Sequence, residues 1–119
     1  MTETPVYQVA VAAVRGGHHT ARVGDREILI VDTGGAIRVY DGVCPHLGGP
    51  LLEGRISPRA IVCPWHVYAF DAVTGRCLTV PGGIWRAGGW QKGNGQPMPI
   101  ALRPLRHDVK DDMILVYES

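Results

Sequence analysis

Two short stretches of this chain carry side chains able to hold a metal, "CPHLGGPL" at residues 44 to 51 and "CPWH" at 63 to 66. Cys44 and His46 stand two positions apart in the first, and Cys63 and His66 three apart in the second. With sixteen residues between His46 and Cys63, the four form two tight pairs, Cys-x-His and Cys-x-x-His. Thiolate and imidazole are soft to borderline ligands that suit zinc and iron. Both pairs follow apolar, strand-like runs and open turn-forming segments, so each metal-binding pair sits where a loop leaves a strand.

Two kinds of centre use such a set. A structural zinc takes two Cys and two His in a closed tetrahedron and tolerates many loop geometries. A two-iron, two-sulfide cluster instead divides them, both thiolates on one iron and both imidazoles on the other. In each pair the Cys comes first and the His last, so two similar loops placed face to face gather thiolates on one side and imidazoles on the other. Zinc has no need of that symmetry, and the ordering favours the cluster.

The elements that must position these loops are strands. "YQVAVAAV" (7 to 14) and "EILIVDT" (27 to 33) are rich in β-branched residues, and "AIRVY" (36 to 40) alternates apolar with polar as a half-buried strand does. "TGG" at 33 to 35 joins the last two as a hairpin turn. "AIVC" (60 to 63), "YAFDA" (68 to 72) and "MILVY" (113 to 117) continue the series, and almost nothing reads as helix. Sixteen Gly, nine Pro and one Phe in 119 residues also fit short strands joined by many turns. The length fits one domain with a single modest core. "VPGGIWRAGGWQKGNGQPMPIAL" (80 to 102) interrupts the rhythm with six glycines, three prolines and two tryptophans. Its indoles argue against a plain flexible linker, so an ordered insertion is expected over about 81 to 101.

A formal net charge of +1 with both signs scattered gives no basic stripe for nucleic acid or an anionic membrane. No apolar run approaches the roughly 18 to 20 residues that span a bilayer, and the start of the chain lacks the basic-then-apolar order of a secretory signal. A soluble, cytoplasmic protein is the expectation. Of the three cysteines, Cys77 has no histidine at ligand spacing and reads as a small buried apolar residue.

Together the ligand pairs, the flanking segments "VYDGVCPHLGGPLLEGRI" and "VCPWHVYAFDAVTG", and the hairpin "EILIVDTGGAIRVY" resemble the Rieske iron-sulfur family, in particular its soluble ferredoxins. The likeness runs over residues 7 to 80 and resumes at "LRPLRHDVKDDMILVY", where a closing strand pair is expected. The resemblance implies an all-β fold: one Rieske domain over 1 to 119, a small antiparallel β-sandwich with a cluster-binding subdomain of two loops at about 42 to 80. It implies one [2Fe-2S] cluster per chain, with Cys44 and Cys63 on the inner iron and His46 and His66 on the outer. Two neutral imidazoles in place of thiolates remove two negative charges, which lifts the potential of such clusters from about −400 mV to roughly −150 to +300 mV.

The surroundings refine that range. High-potential members of the family join their loops by a disulfide, and here Gly49 and Trp65 stand at those places. They also present a Ser and a Tyr hydroxyl to the cluster, where this chain has Tyr68 and Phe70. Hydrogen bonds to sulfur raise the potential, so the missing hydroxyl at Phe70 implies a low-potential centre. Leu47 and Trp65 read either as ordinary core or as an apolar shield for the cluster, and Gly48, Gly49 and Pro50 either as a plain turn or as one that also lets backbone N–H groups approach the sulfides. Val67 replaces the glycine usual after the last ligand.

By resemblance the protein carries single electrons from a flavoprotein reductase to the terminal oxygenase of a multicomponent, aromatic-ring hydroxylating system, docking transiently with both. It would be a carrier and not an enzyme. A small Rieske subunit of a larger reductase, such as a nitrite reductase, is the second expectation, and a zinc-stabilised interaction module the third. Asp41 and Asp71 read as turn caps, His18 and His19 as solvated loop residues, His107 as a strand residue, and Trp85 and Trp90 as packing for the insertion.

Overall fold

The computed structural model describes residues 3–45, 48–65, 68–79, 84–86, 89–91 and 99–118. Its strands are β1 (Tyr7–Ala10), β2 (His18–Val23), β3 (Arg26–Asp32), β4 (Ile37–Asp41), β5 (Arg55–Ile56), β6 (Ala60–Val62), β7 (Ala69–Asp71), β8 (Ile84–Arg86), β9 (Gly89–Gln91), β10 (His107–Lys110) and β11 (Met113–Val116). They form three-stranded sheets β1-β11-β10, β2-β3-β4 and β5-β6-β7 and the two-stranded pair β8-β9. Each of these pairings is antiparallel. The expected antiparallel β-sandwich is therefore present.

The run "EILIV" in β3 dictates the layering. Successive strand side chains point to opposite faces, so four apolar residues in a row demand cover on both sides. Ile28, Leu29, Ile30 and Val31 are all 0% exposed. Ile28 and Ile30 pack with Val39, Ile114 and Val116 of β4 and β11. Leu29 and Val31 pack on the other side with Tyr40, Leu51, Ile61 and Phe70. The single core expected from chain length is thus two clusters back to back across one strand, and β2-β3-β4 is the middle layer.

Turn chemistry joins the strands as their sequences suggest. Between β3 and β4, Gly34 takes φ +93°, and the Gly34 N–H donates to the Asp32 carboxylate at 2.9 Å. Between β10 and β11, Asp111 and Asp112 hold φ of +53° and +63°, the two left-handed positions of a tight hairpin that Asp tolerates. The closing strand pair expected near the end of the chain is β10–β11, with Lys110 opposite Met113.

Some elements differ from the sequence reading. The first strand stops at Ala10, and Val11–Ala13 form a 3-10 turn that carries Val14 into the core at 1% exposure. His18 and His19 open β2 instead of lying in a loop. Pairing with β3 stabilises that polar strand despite its composition, and the His19 ring stacks on Tyr7 and shares a 2.6 Å hydrogen bond between its Nε2 and the Tyr7 hydroxyl. Within the insertion, β8 and β9 pair with Trp85 opposite Trp90; the rest of 80–98 lies outside the described residues. Among the described residues no helix is long and apolar enough to cross a membrane.

Candidate metal centre

The two cysteine loops leave β4 and β6, and each is closed in the same way. Cys44 donates its backbone N–H to the carbonyl of Gly49 at 2.8 Å, and Cys63 donates its own to the carbonyl of Tyr68 at 2.8 Å. In both, a cysteine amide is bound to a carbonyl five residues on. The first loop is tightened further by the Gly48 N–H, which donates to the Cys44 carbonyl at 2.8 Å, and by a bridge from Val43 to Pro50. Pro50 then leads into a 3-10 turn, Leu51–Glu53, that buries Leu51. The similarity expected from the ordering of the ligand pairs is realised in the backbone.

This repeated closure brings Cys44 and Cys63 together. Their exposures are 2% and 1%, and both join the cluster that contains Leu51, Ile61 and Phe70. Burial pushes the Cys63 thiol above its ordinary pKa, and its neighbour Cys44 pushes the same way. The Trp65 N–H, donating to Cys63 Sγ at 3.4 Å, opposes them by favouring the thiolate. A thiol desolvated in this way is poorly placed to ionise by itself, and a cation beside Cys63 would reverse that balance.

The other residues expected around the centre fall into place to different degrees. Gly49 lies so close to the second loop that a Cβ on it would stand 2.8 Å from Cys63 Sγ and 3.1 Å from Trp65 Cδ2. Phe70 is 0% exposed in the same cluster as both cysteines, and the half-buried Tyr68 packs against that cluster. Trp65 is 48% exposed. His46, His66, Leu47 and Val67 lie outside the described residues. Asp71 caps a turn as expected, accepting the N–H groups of Val73 and Thr74 at 2.8 and 3.1 Å. Asp41 instead ends β4.

Several supporting residues escaped the sequence reading. Cys77 is buried as expected, but in the same cluster as the two site cysteines. Thr79 Oγ1 accepts the Ala69 N–H at 3.0 Å and so fixes the start of β7. At Gly54 any Cβ would meet the Val62 carbonyl at 1.9 Å, so only glycine lets the 3-10 turn pass behind the second loop. Gly54 lies directly before β5.

The donor set fits an iron-sulfur cluster: two buried thiols meet in an apolar cluster, with a backbone N–H already directed at one sulfur. Comparisons with known proteins agree. The family model described as "Rieske [2Fe-2S] domain" matches residues 4–83. Among curated proteins, the oxygenase component of 3-ketosteroid-9-alpha-monooxygenase from Mycobacterium tuberculosis is 34% identical over 64 residues, 54% of this chain and 16% of that protein. Human apoptosis-inducing factor 3 is 33% identical over 67 residues, 56% of this chain and 11% of that protein. The chain thus spans less than a fifth of the length of these relatives. Among solved structures, the ferredoxin of carbazole 1,9a-dioxygenase from Nocardioides aromaticivorans IC177 superposes with a TM-score of 0.70 at 22% identity, covering 98% of this chain and 100% of that one. A Sphingomonas yanoikuyae B1 ferredoxin gives 0.68 at 18% identity, over 99% and 100% of the two chains. The match over more than half of the sequence decides between the two centres weighed above: the chain belongs to the Rieske [2Fe-2S] domain family.

Proposed function

We propose that this Rieske domain works as a ferredoxin, a one-electron carrier that docks transiently with a flavoprotein reductase and with the terminal oxygenase of a multicomponent hydroxylating system. The observation that carries the reading is the meeting of Cys44 and Cys63 at the base of two loops closed alike, each of which bears a histidine in sequence. A bound [2Fe-2S] cluster accepts and returns a single electron. Cys44 and Cys63 hold it by their thiolates, and His46 and His66 complete the ligand set.

The chain's own residues set the conditions for that exchange. Leu51, Ile61 and Phe70 exclude water from the sulfur side of the site. The Trp65 N–H stabilises negative charge on the Cys63 sulfur. Phe70 offers no hydroxyl, which keeps the potential in the lower part of the Rieske range. The partner assignment draws support from the solved complex of an oxygenase with its ferredoxin in carbazole 1,9a-dioxygenase, whose matching chain superposes with a TM-score of 0.66 over 92% of this one. With its ligands committed to the cluster, the domain itself is a carrier and not an enzyme, acting in the cytoplasm.

The first test is a visible and electron paramagnetic resonance spectrum of anaerobically purified protein before and after dithionite, with iron, sulfide and zinc analysis. A red-brown protein that bleaches and gains a Rieske-type signal is the expected result. Colourless protein with one zinc would overturn the reading. Reduction by a flavoprotein reductase, followed by reoxidation with a ring-hydroxylating oxygenase, then tests the partners; stable co-purification with a large reductase subunit would assign the domain to a permanent complex instead.

A further inference from the structure

The geometry points to Trp65 as the strap that ties the two cysteine loops together and covers the Cys63 sulfur, with Gly49 as its seat. This rests on the cluster reading above and adds what holds that cluster in.

Gly49 is not a glycine for backbone reasons, because its φ lies outside the left-handed region. It is a glycine for space. The volume a Cβ would occupy is taken from the opposite loop by Cys63 Sγ at 2.8 Å and by Trp65 Cδ2 and Cε3 at 3.1 and 3.2 Å. The benzenoid side of the indole therefore lies against the Gly49 backbone. Each partner also holds a cysteine: the Gly49 carbonyl accepts the Cys44 N–H, and the Trp65 N–H donates to Cys63 Sγ. The contact thus links the loop closures at both thiols.

A non-covalent link is needed here. Cys44, Cys63 and Cys77 are all free, so no disulfide joins the loops. Trp65 belongs to neither buried cluster and remains 48% exposed, so it contributes little to the core. The part of the indole that lies against the Gly49 backbone withdraws apolar surface from water, and separating the loops exposes that surface again. The strap therefore opposes loop opening, the motion that admits water, chelators or thiol reagents to Cys63, without governing the stability of the sandwich.

The test compares wild type, Trp65→Ala and Trp65→Phe as purified. The expected result is that Trp65→Ala unfolds within a few degrees of wild type but surrenders its iron to an excess of a ferrous chelator faster by at least roughly tenfold, a factor within reach of a half-buried indole. Trp65→Phe, which keeps a ring against Gly49, restores slow release. In protein stripped of metal, Cys63 in Trp65→Ala is alkylated by a maleimide faster by a similar factor, located by mass spectrometry, while Cys77 is unchanged. Wild-type rates of release and labelling in Trp65→Ala would overturn the strap, as would Trp65→Phe behaving like Trp65→Ala. Wild-type protein without iron and sulfide would instead overturn the cluster reading, and the alkylation comparison would still decide the strap.

Discussion

The hydroxyl of Tyr40, on the middle sheet, donates to the carbonyl of Ala72, in the turn after β7, at 2.9 Å. A second carbonyl, that of Val73, lies 3.3 Å from the same oxygen. Tyr40 is 3% exposed, so this bond is made out of water. It joins the central layer to the subdomain that carries the second cysteine loop, and a buried carbonyl left without its donor is costly.

Tyr40→Phe should therefore destabilise the protein by about 1 to 3 kcal/mol, the range for an orphaned buried polar group. Urea unfolding followed by circular dichroism checks this. A change confined to a few tenths of a kcal/mol would mean that water replaces the bond.

The same residue confers a pH dependence. Burial holds the Tyr40 phenol above its ordinary pKa; the Arg38 charge lowers it, and the Asp71 charge raises it. A pKa higher in the folded state than the unfolded value of about 10 leaves stability intact below that pH and erodes it as pH rises beyond. Tyr117, raised by burial and by Asp108, contributes in the same direction. Melting temperatures measured between pH 9 and 11.5 should fall, and fall less steeply in Tyr40→Phe, which has no proton to lose.

The three cysteines should separate cleanly. Cys44→Ser and Cys63→Ser remove proposed cluster ligands, and iron and sulfide content should drop to near zero. Cys77→Ala should keep full iron and sulfide. It should lose only about 1 kcal/mol of stability, because its buried sulfur packs in the core and makes one weak contact, 3.8 Å from the Thr79 carbonyl. Loss of iron in Cys77→Ala at unchanged stability would contradict the assignment of Cys77 to packing.

Phe70→Tyr should raise the reduction potential, since it adds a hydroxyl inside the cluster of side chains that holds both site cysteines. A hydrogen bond stronger in the reduced state by about 1 kcal/mol corresponds to roughly 40 mV for one electron. Protein-film voltammetry measures the shift directly. The added oxygen also overpacks a fully buried position, so some stability is expected to be lost with it.

At Gly54, alanine would set a Cβ 1.9 Å from the Val62 carbonyl, against backbone and not against a yielding side chain. Gly54→Ala should cost more than about 3 kcal/mol or abolish soluble expression, the upper range for single substitutions. Near-normal thermal unfolding of that variant would show that the turn can move aside.

Much of this was readable from the sequence because the information is local. The spacing of Cys44, His46, Cys63 and His66 depends only on neighbours along the chain, as do the β-branched run of β3 and the glycine turn that follows it. The ordering of the ligand pairs foreshadowed two alike loops, and the matching closures Cys44–Gly49 and Cys63–Tyr68 have that form. Strand β2 was missed because "HHTARV" carries no apolar pattern and is ordered by its pairing with β3. Val11–Ala13 was misassigned for the reverse reason: apolar residues continue while the backbone turns.

The order of residues along the chain thus carries the chemistry: which side chains can bind a metal, and that strands and tight turns must present them. Where those groups meet is set by how the sheets pack. β3 divides the interior because both of its faces are apolar and each needs its own layer. Gly49, Trp65 and Cys63 become neighbours because two loops that begin nineteen positions apart pack face to face. Contacts of that kind follow from the folding of separate segments onto one another, and no local pattern of residues encodes them.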